Sequence, residues 1–351
     1  MGRRVPLLVF MKKLVLQFAI VFLSQMLLSQ VSAAQFVPAS PPIAGFGDTR
    51  FDGIKEDWTS PALKSSSLRS IPPLVGYVDD RPDYSVELVQ VQWRHGDPID
   101  LYVMKPKVVK KPPVILYLYG YPASTERFKD ERFQKTVTSS GFAAVGFVSA
   151  LTGHRYHDRP MKEWFLSELP ECLATSAHDV QMVLDYLATR GDLDMTRVGM
   201  YAQGSGASIG ILASATDARI KVLDTLDPWG VWPTWMADSP FVPEEERAEF
   251  VKPEFLKKAA ALDPADWLPH IQAKKFRLQD AIFETNTPRA AKEQLRAAVP
   301  ARATVAIYKT PEEFNAMVRA NTQLEWIERE LQSLRADARA IQNADRNGET
   351  R

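Results

Sequence analysis

Cysteine is almost missing from this chain of 351 residues: Cys172 stands alone. A single thiol excludes an intramolecular disulfide and leaves no cysteine set for a structural zinc, so stability must come from a packed core. Its neighbours Leu173, Val180, Val183 and Leu184 recur at helical spacing, and a lone Cys in that setting is a packing residue. Excess charge of one sign is also absent, because 43 Lys and Arg offset 43 Asp and Glu. With no basic arm and no interleaved basic and aromatic stripe, nucleic acid is not an expected partner. Histidine is sparse: the five are His95, His154, His157, His178 and His270, and none follows position 270.

Long apolar runs are absent except near the N-terminus. There Arg3, Arg4, Lys12 and Lys13 precede an apolar run from Leu14 to about Leu28, and Val31-Ser32-Ala33 supplies small residues. This order is that of a secretory signal over 1–34, cut near Ala33 or Ala34, with Met1 or Met11 as the start. The competing reading is an uncleaved anchor, since the run is nearly long enough to span a bilayer. The expectation is an exported protein, periplasmic or secreted, with no membrane contact after signal removal.

Residues 35–83 are rich in Pro, Ser and Gly and read as an irregular leader. Two apolar runs, Ser85–Trp93 and Ile99–Met104, flank Arg94-His95-Gly96-Asp97-Pro98, which is a hairpin signal; His95 reads as a solvated turn residue. From Pro113 strands and helices alternate: strands at Val114–Tyr119, Phe142–Val148, Arg197–Ala202 and Arg219–Leu226, with helices near Arg127–Ser139, Leu173–Leu187 and 205–216. Seven prolines between 228 and 270 interrupt the rhythm and mark an inserted cap. Alternation resumes with Phe276–Phe283, a helix after Pro288, a strand at Ala303–Tyr308 and a long helix from about Pro311. Such alternation predicts an α/β fold, a mostly parallel central sheet with helices on both faces, over 84–335, followed by a polar tail over 336–351.

Arg197–Ala207 is a strand, a tight small-residue turn and a helix, the context of a nucleophile elbow. On these residues the sequence resembles the α/β-hydrolase superfamily, in its dienelactone-hydrolase, acetyl-xylan-esterase and prolyl-oligopeptidase-like branches, over roughly 85–335. The resemblance makes Ala202 and Gly206 the small flanking positions, and Gly204 then stands where the nucleophile should be. Ser205 would follow it and give a backbone N–H to the oxyanion hole. A register shifted by one would make Ser205 the nucleophile but put Gln203 where a small residue is wanted. Gly120 and Tyr121 match the loop that supplies the other oxyanion donor, with Tyr119 in place of a histidine.

The same resemblance puts Glu284, four residues before Pro288, at the position of the acid; its plainer reading is a solvated loop residue. The base should follow the strand Ala303–Tyr308, but the local sequence is Lys309-Thr310-Pro311-Glu312-Glu313. Without an imidazole there, the chain order nucleophile, acid, base cannot be completed, and an unassisted hydroxyl is a poor nucleophile.

Other constellations are weaker. His154 and His157 before Asp158 have metal-ligand spacing, yet Gly153 and Pro160 mark a loop resembling the G-H-x-R segment of these folds, and no metal is expected. His178 reads as structural, and His270 in the cap is an outside candidate for a base. Trp229, Trp232 and Trp235, three apart, either pack the cap onto the sheet or line a pocket for an apolar ligand. The sequence therefore predicts an exported α/β-hydrolase-fold protein, catalytically impaired or inactive, that keeps a pocket for an ester- or acyl-type small molecule and needs no cofactor. Its rivals are an active serine esterase or peptidase using Ser205 with Glu284 and a non-standard base, and metal-assisted hydrolysis around His154 and His157.

Overall fold

Val114 to Tyr119 is apolar at every position, and a strand with that pattern must be covered on both faces. A computed structural model describes residues 56–63, 68, 70–94, 96–152, 166–320 and 322–334. In it Pro113–Leu118 is strand β4, buried throughout, at the centre of a nine-stranded sheet. Alternate side chains separate cleanly. Val114, Leu116 and Leu118 join the larger apolar cluster, while Ile115, Tyr117 and Tyr119 join a second cluster across the sheet. Complete burial of side chains this size is worth roughly 1.5–3 kcal/mol each, so this strand anchors both layers.

The strands are β1 Leu74–Asp80, β2 Tyr84–Gln92, β3 Pro98–Pro106, β4, β5 Ala143–Gly146, β6 Asp194–Gln203, β7 Ile220–Leu226, β8 Lys275–Ala281 and β9 Thr304–Tyr308. Their order is β1-β2-β3-β5-β4-β6-β7-β8-β9. β1 to β3 pair antiparallel, β3 also pairs antiparallel with β5, and the remaining pairs are parallel. The predicted hairpin is β2–β3. One correction falls on the leader: residues 74–80 form edge strand β1, and Leu74, Val75, Tyr77 and Val78 are exposed. A strand open to solvent on both faces has no alternating pattern to betray it.

Among the described residues the helices longer than four residues are α1 Glu131–Ser139, α2 Leu169–Ala188, α3 Ser205–Thr216, α4 Trp232–Asp238, α5 Pro253–Ala260, α6 Arg289–Ala298, α7 Pro311–Arg319 and a further helix, α8, over 325–334. Residues of α2 and α3 fill the larger cluster with Cys172 buried among them, and α8 contributes Ile327 and Leu331 to the second. The long helix expected from Pro311 is two helices, broken after Arg319; the Thr322 N–H turns back to the Met317 carbonyl at 3.2 Å. The segment between β7 and β8 is helical, as an inserted cap, and includes α4 and α5. Among the described residues no helix is long and apolar enough to cross a membrane.

Candidate functional site

At the ends of the parallel strands, β6 turns into α3 through a single residue. That residue is Gly204, at φ 58° and ψ −127°. L-residues with a Cβ adopt that conformation only under strain, whereas glycine takes it freely. Its N–H donates to the Leu226 carbonyl at 2.9 Å, and its own carbonyl accepts from the N–H of Ala207 at 3.0 Å. Two positions on, a Cβ built at Gly206 would meet the Leu118 carbonyl oxygen at 2.3 Å, so α3 can lie this close to β4 only with glycine there. The vertex is thus at Gly204, and Ser205 is the first residue of α3.

Ser205 is fully buried, and its Oγ accepts a hydrogen bond from the Tyr121 N–H at 2.8 Å. The hydroxyl thereby occupies the backbone donor that the sequence assigns to an oxyanion hole. Gly120 closes the same corner: a Cβ there would lie 2.7 Å from the Gln203 carbonyl oxygen and 2.8 Å from the Ser205 nitrogen. Gly120, Tyr121, Gly204 and Ser205 are therefore brought together as one constellation. Glu284 is half-buried and serves its own turn, its N–H donating to the Ala281 carbonyl and its Oε2 accepting from the Asn286 N–H, both at 2.9 Å. The loop after β9 is a helix cap: Thr310 Oγ1 accepts from the Glu313 N–H at 3.2 Å, and Glu313 Oε2 accepts from the Lys309 N–H at 2.8 Å.

Two of the five imidazoles lie among the described residues. His178, on α2, faces Glu56 Oε1 at 2.6 Å through Nδ1 and the Ser60 carbonyl at 2.9 Å through Nε2. Both ring nitrogens are engaged with a segment ahead of the sheet. His270 is exposed beside the Trp267 ring, and the nearby Gln272 N–H donates to the Ser214 carbonyl. That places this stretch at the C-terminal end of α3, a 12-residue helix whose far end is about 16 Å from its first residue. The cap histidine does not serve as a base for Ser205. His95, His154, His157 and Asp158 lie outside the described residues, and among the described residues no group of three His, Cys, Asp or Glu could hold a metal.

All three cap tryptophans are buried. Trp229 and Trp235 stack with centroids 4.8 Å apart, Trp232 meets Trp235 edge-on at 5.9 Å, and Phe241 and Tyr121 lie edge-on to each other at 5.6 Å. Trp229 reaches the elbow, its Nε1 lying 3.6 Å from where a Gly204 Cβ would be. Ser208 of α3 tethers it by donating to its carbonyl at 2.7 Å.

Sequence reasoning missed two groups that set this geometry. Asp263 accepts from the N–H groups of Val231 and Trp232, each at 2.8 Å, and of Ala265 at 3.0 Å, fixing the start of α4. Asp227, next to the Leu226 that bonds Gly204, pairs with the buried Lys292 at 2.8 Å and accepts from the Ala281 N–H at 2.9 Å. Burial pushes its carboxyl up to about 6 against the attraction of that ammonium. An acidic residue at the end of β7, followed by proline, is a local signal, but its lysine partner is 65 residues away.

A mostly parallel sheet with helices on both faces, a hairpin ahead of it, a glycine-flanked turn into a buried helix and a cap after the next strand together define the α/β-hydrolase fold. Solved structures of that fold superpose on the chain. An acetyl xylan esterase from Paenibacillus sp. R4 matches with a TM-score of 0.57 at 17% identity, covering 72% of this chain and 87% of that one. Acetyl xylan esterase 1 from Thermoanaerobacterium sp. JW/SL YS485 matches with 0.57 at 13% identity, covering 73% and 88%. The acylaminoacyl peptidase of Pyrococcus horikoshii matches with 0.53 at 16% identity, covering 76% of this chain and 42% of that one. No protein-family model and no curated protein matches the sequence.

Proposed function

We propose that this chain is an exported α/β-hydrolase-fold protein that holds an ester- or acyl-type small molecule at its elbow without hydrolysing it by a serine mechanism. One observation carries the reading: the elbow vertex is Gly204, which has no side chain to attack with, while the neighbouring Ser205 hydroxyl is buried against the Tyr121 N–H. The carboxylate at the acid position, Glu284, bonds within its own turn, and the loop after β9 offers Thr310 and Glu313 in place of an imidazole. The aromatic cluster of Trp229, Trp235, Phe241 and Tyr121 beside the turn supports a binding role. The basic and apolar segment before Ala33 supports export.

The test is turnover. Purified protein is expected to hydrolyse p-nitrophenyl acetate no faster than buffer, and Ser205→Ala to leave that rate unchanged. A rate above buffer that Ser205→Ala abolishes would establish the esterase reading. A rate abolished by a chelator would establish the metal-assisted one.

A further inference from the structure

The vacated elbow faces a side-chain hydrogen-bond donor, the indole N–H of Trp229. Trp229 is 2% exposed, and its indole N–H finds no acceptor among the described residues although Nε1 lies 3.6 Å from the would-be Cβ of Gly204. The indole N–H of Trp235, whose ring stacks on that of Trp229, is buried without a partner among the described residues. Beside Trp229 lies the N-terminus of α3, where the Ser205 N–H is the first amide of a 12-residue helix and has no acceptor within it. Gly120, Tyr121 and Gly204 are each partly exposed, so solvent reaches this corner.

We infer that the empty nucleophile position is an acceptor site for the carboxylate of an aromatic or apolar monocarboxylic acid, held by the Trp229 Nε1–H and the Ser205 N–H at the head of α3. The inference rests on the non-hydrolytic reading above and narrows its ligand class. An oxygen placed beside Gly204 would accept from the Trp229 indole N–H, and the positive end of the helix dipole favours an anion over a neutral carbonyl. The tail would lie on Trp229, Phe241 and Tyr121, whose rings are already mutually packed. Asp227, two residues before Trp229, does not oppose the anion at full charge, because Lys292 is paired with it.

The probe is phenylacetate, compared with phenylacetamide and with 2-phenylethanol, by isothermal titration of the full chain. Expected is carboxylate binding at least about 10-fold tighter than amide or alcohol, the scale of one charge-assisted hydrogen bond. Trp229→Phe keeps the ring and removes the donor, and is expected to weaken phenylacetate about 10-fold while leaving the alcohol unchanged. Gly204→Ala places a methyl in the site and is expected to abolish binding, providing a second variant should Trp229→Phe fail to fold. Equal binding of all three compounds, no binding of phenylacetate by the native chain, or unaltered phenylacetate affinity in either folded variant overturns the inference. Ester turnover by the same preparation is the separate result that would defeat the non-hydrolytic reading.

Discussion

Individual buried charges set the energetics of this molecule at the residue scale. Asp224 lies in mid-β7, fully buried, and receives Arg277 through two hydrogen bonds of 2.9 and 2.7 Å and Gln279 through a third of 2.9 Å. Burial nonetheless pushes its carboxyl up, against the attraction of Arg277. Removing one partner of such a pair leaves an uncompensated charge, so Asp224→Ala is expected to destabilise the fold by about 3–5 kcal/mol in urea unfolding. Replacing both Asp224 and Arg277 by apolar residues should cost much less than the sum of the two single changes.

Glu56 makes a second such centre. It receives Arg94 and faces His178, and Arg94 in turn bonds Asp179. Burial raises the Glu56 carboxyl, but the hydrogen bonds and charges of Arg94 and His178 outweigh it, lowering it from 4.5 to about 2. A carboxylate held below its unfolded value stabilises fully above pH 4.5, and the contribution fades as pH falls toward 2. At about 1.4 kcal/mol per tenfold change in proton affinity this is worth about 3 kcal/mol. Glu56→Gln is therefore expected to unfold about 3 kcal/mol more easily than the native chain at pH 7, with the gap closing between pH 4.5 and 2. A gap that stays constant across that range would refute the linkage.

At the scale of elements, the cap and the elbow depend on close backbone approaches. Gly206→Ala would drive a methyl into the Leu118 carbonyl, a rigid obstacle, and is expected to cost several kcal/mol or prevent folding, as judged by circular dichroism on heating. Asp263→Ala strips three N–H groups of their acceptor at the start of α4 and is expected to cost about 2–4 kcal/mol, with a red shift of tryptophan emission as the cap loosens.

The elements themselves were largely legible. The all-apolar run of β4, the helical spacing of α2 and the small-residue helix α3 each have one stable placement, inside the sheet or against it. The turn at Gly204 was legible as well, because tight packing allows only small residues at 202 and 206. What the sequence hid has no local pattern. β1 is exposed on both faces, the break between α7 and α8 carries neither glycine nor proline, and the partners of Glu56, Asp227 and Asp263 are distant in the chain. Ser205 was legible as the residue after the vertex. That its hydroxyl turns to the Tyr121 N–H is a matter of three-dimensional packing alone.

For the whole molecule, the fold it shares with esterases and a peptidase fixes where a site can be and leaves open what the site does. The account turns on Gly204 at the vertex, a sequestered Ser205 hydroxyl, and His178 and His270 both placed elsewhere. Intact-mass analysis of the full chain after incubation with a fluorophosphonate tests this most directly, since that reagent phosphonylates only a serine whose oxygen is activated. The mass is predicted to remain unchanged. Addition of one phosphonyl group at Ser205 would contradict the account.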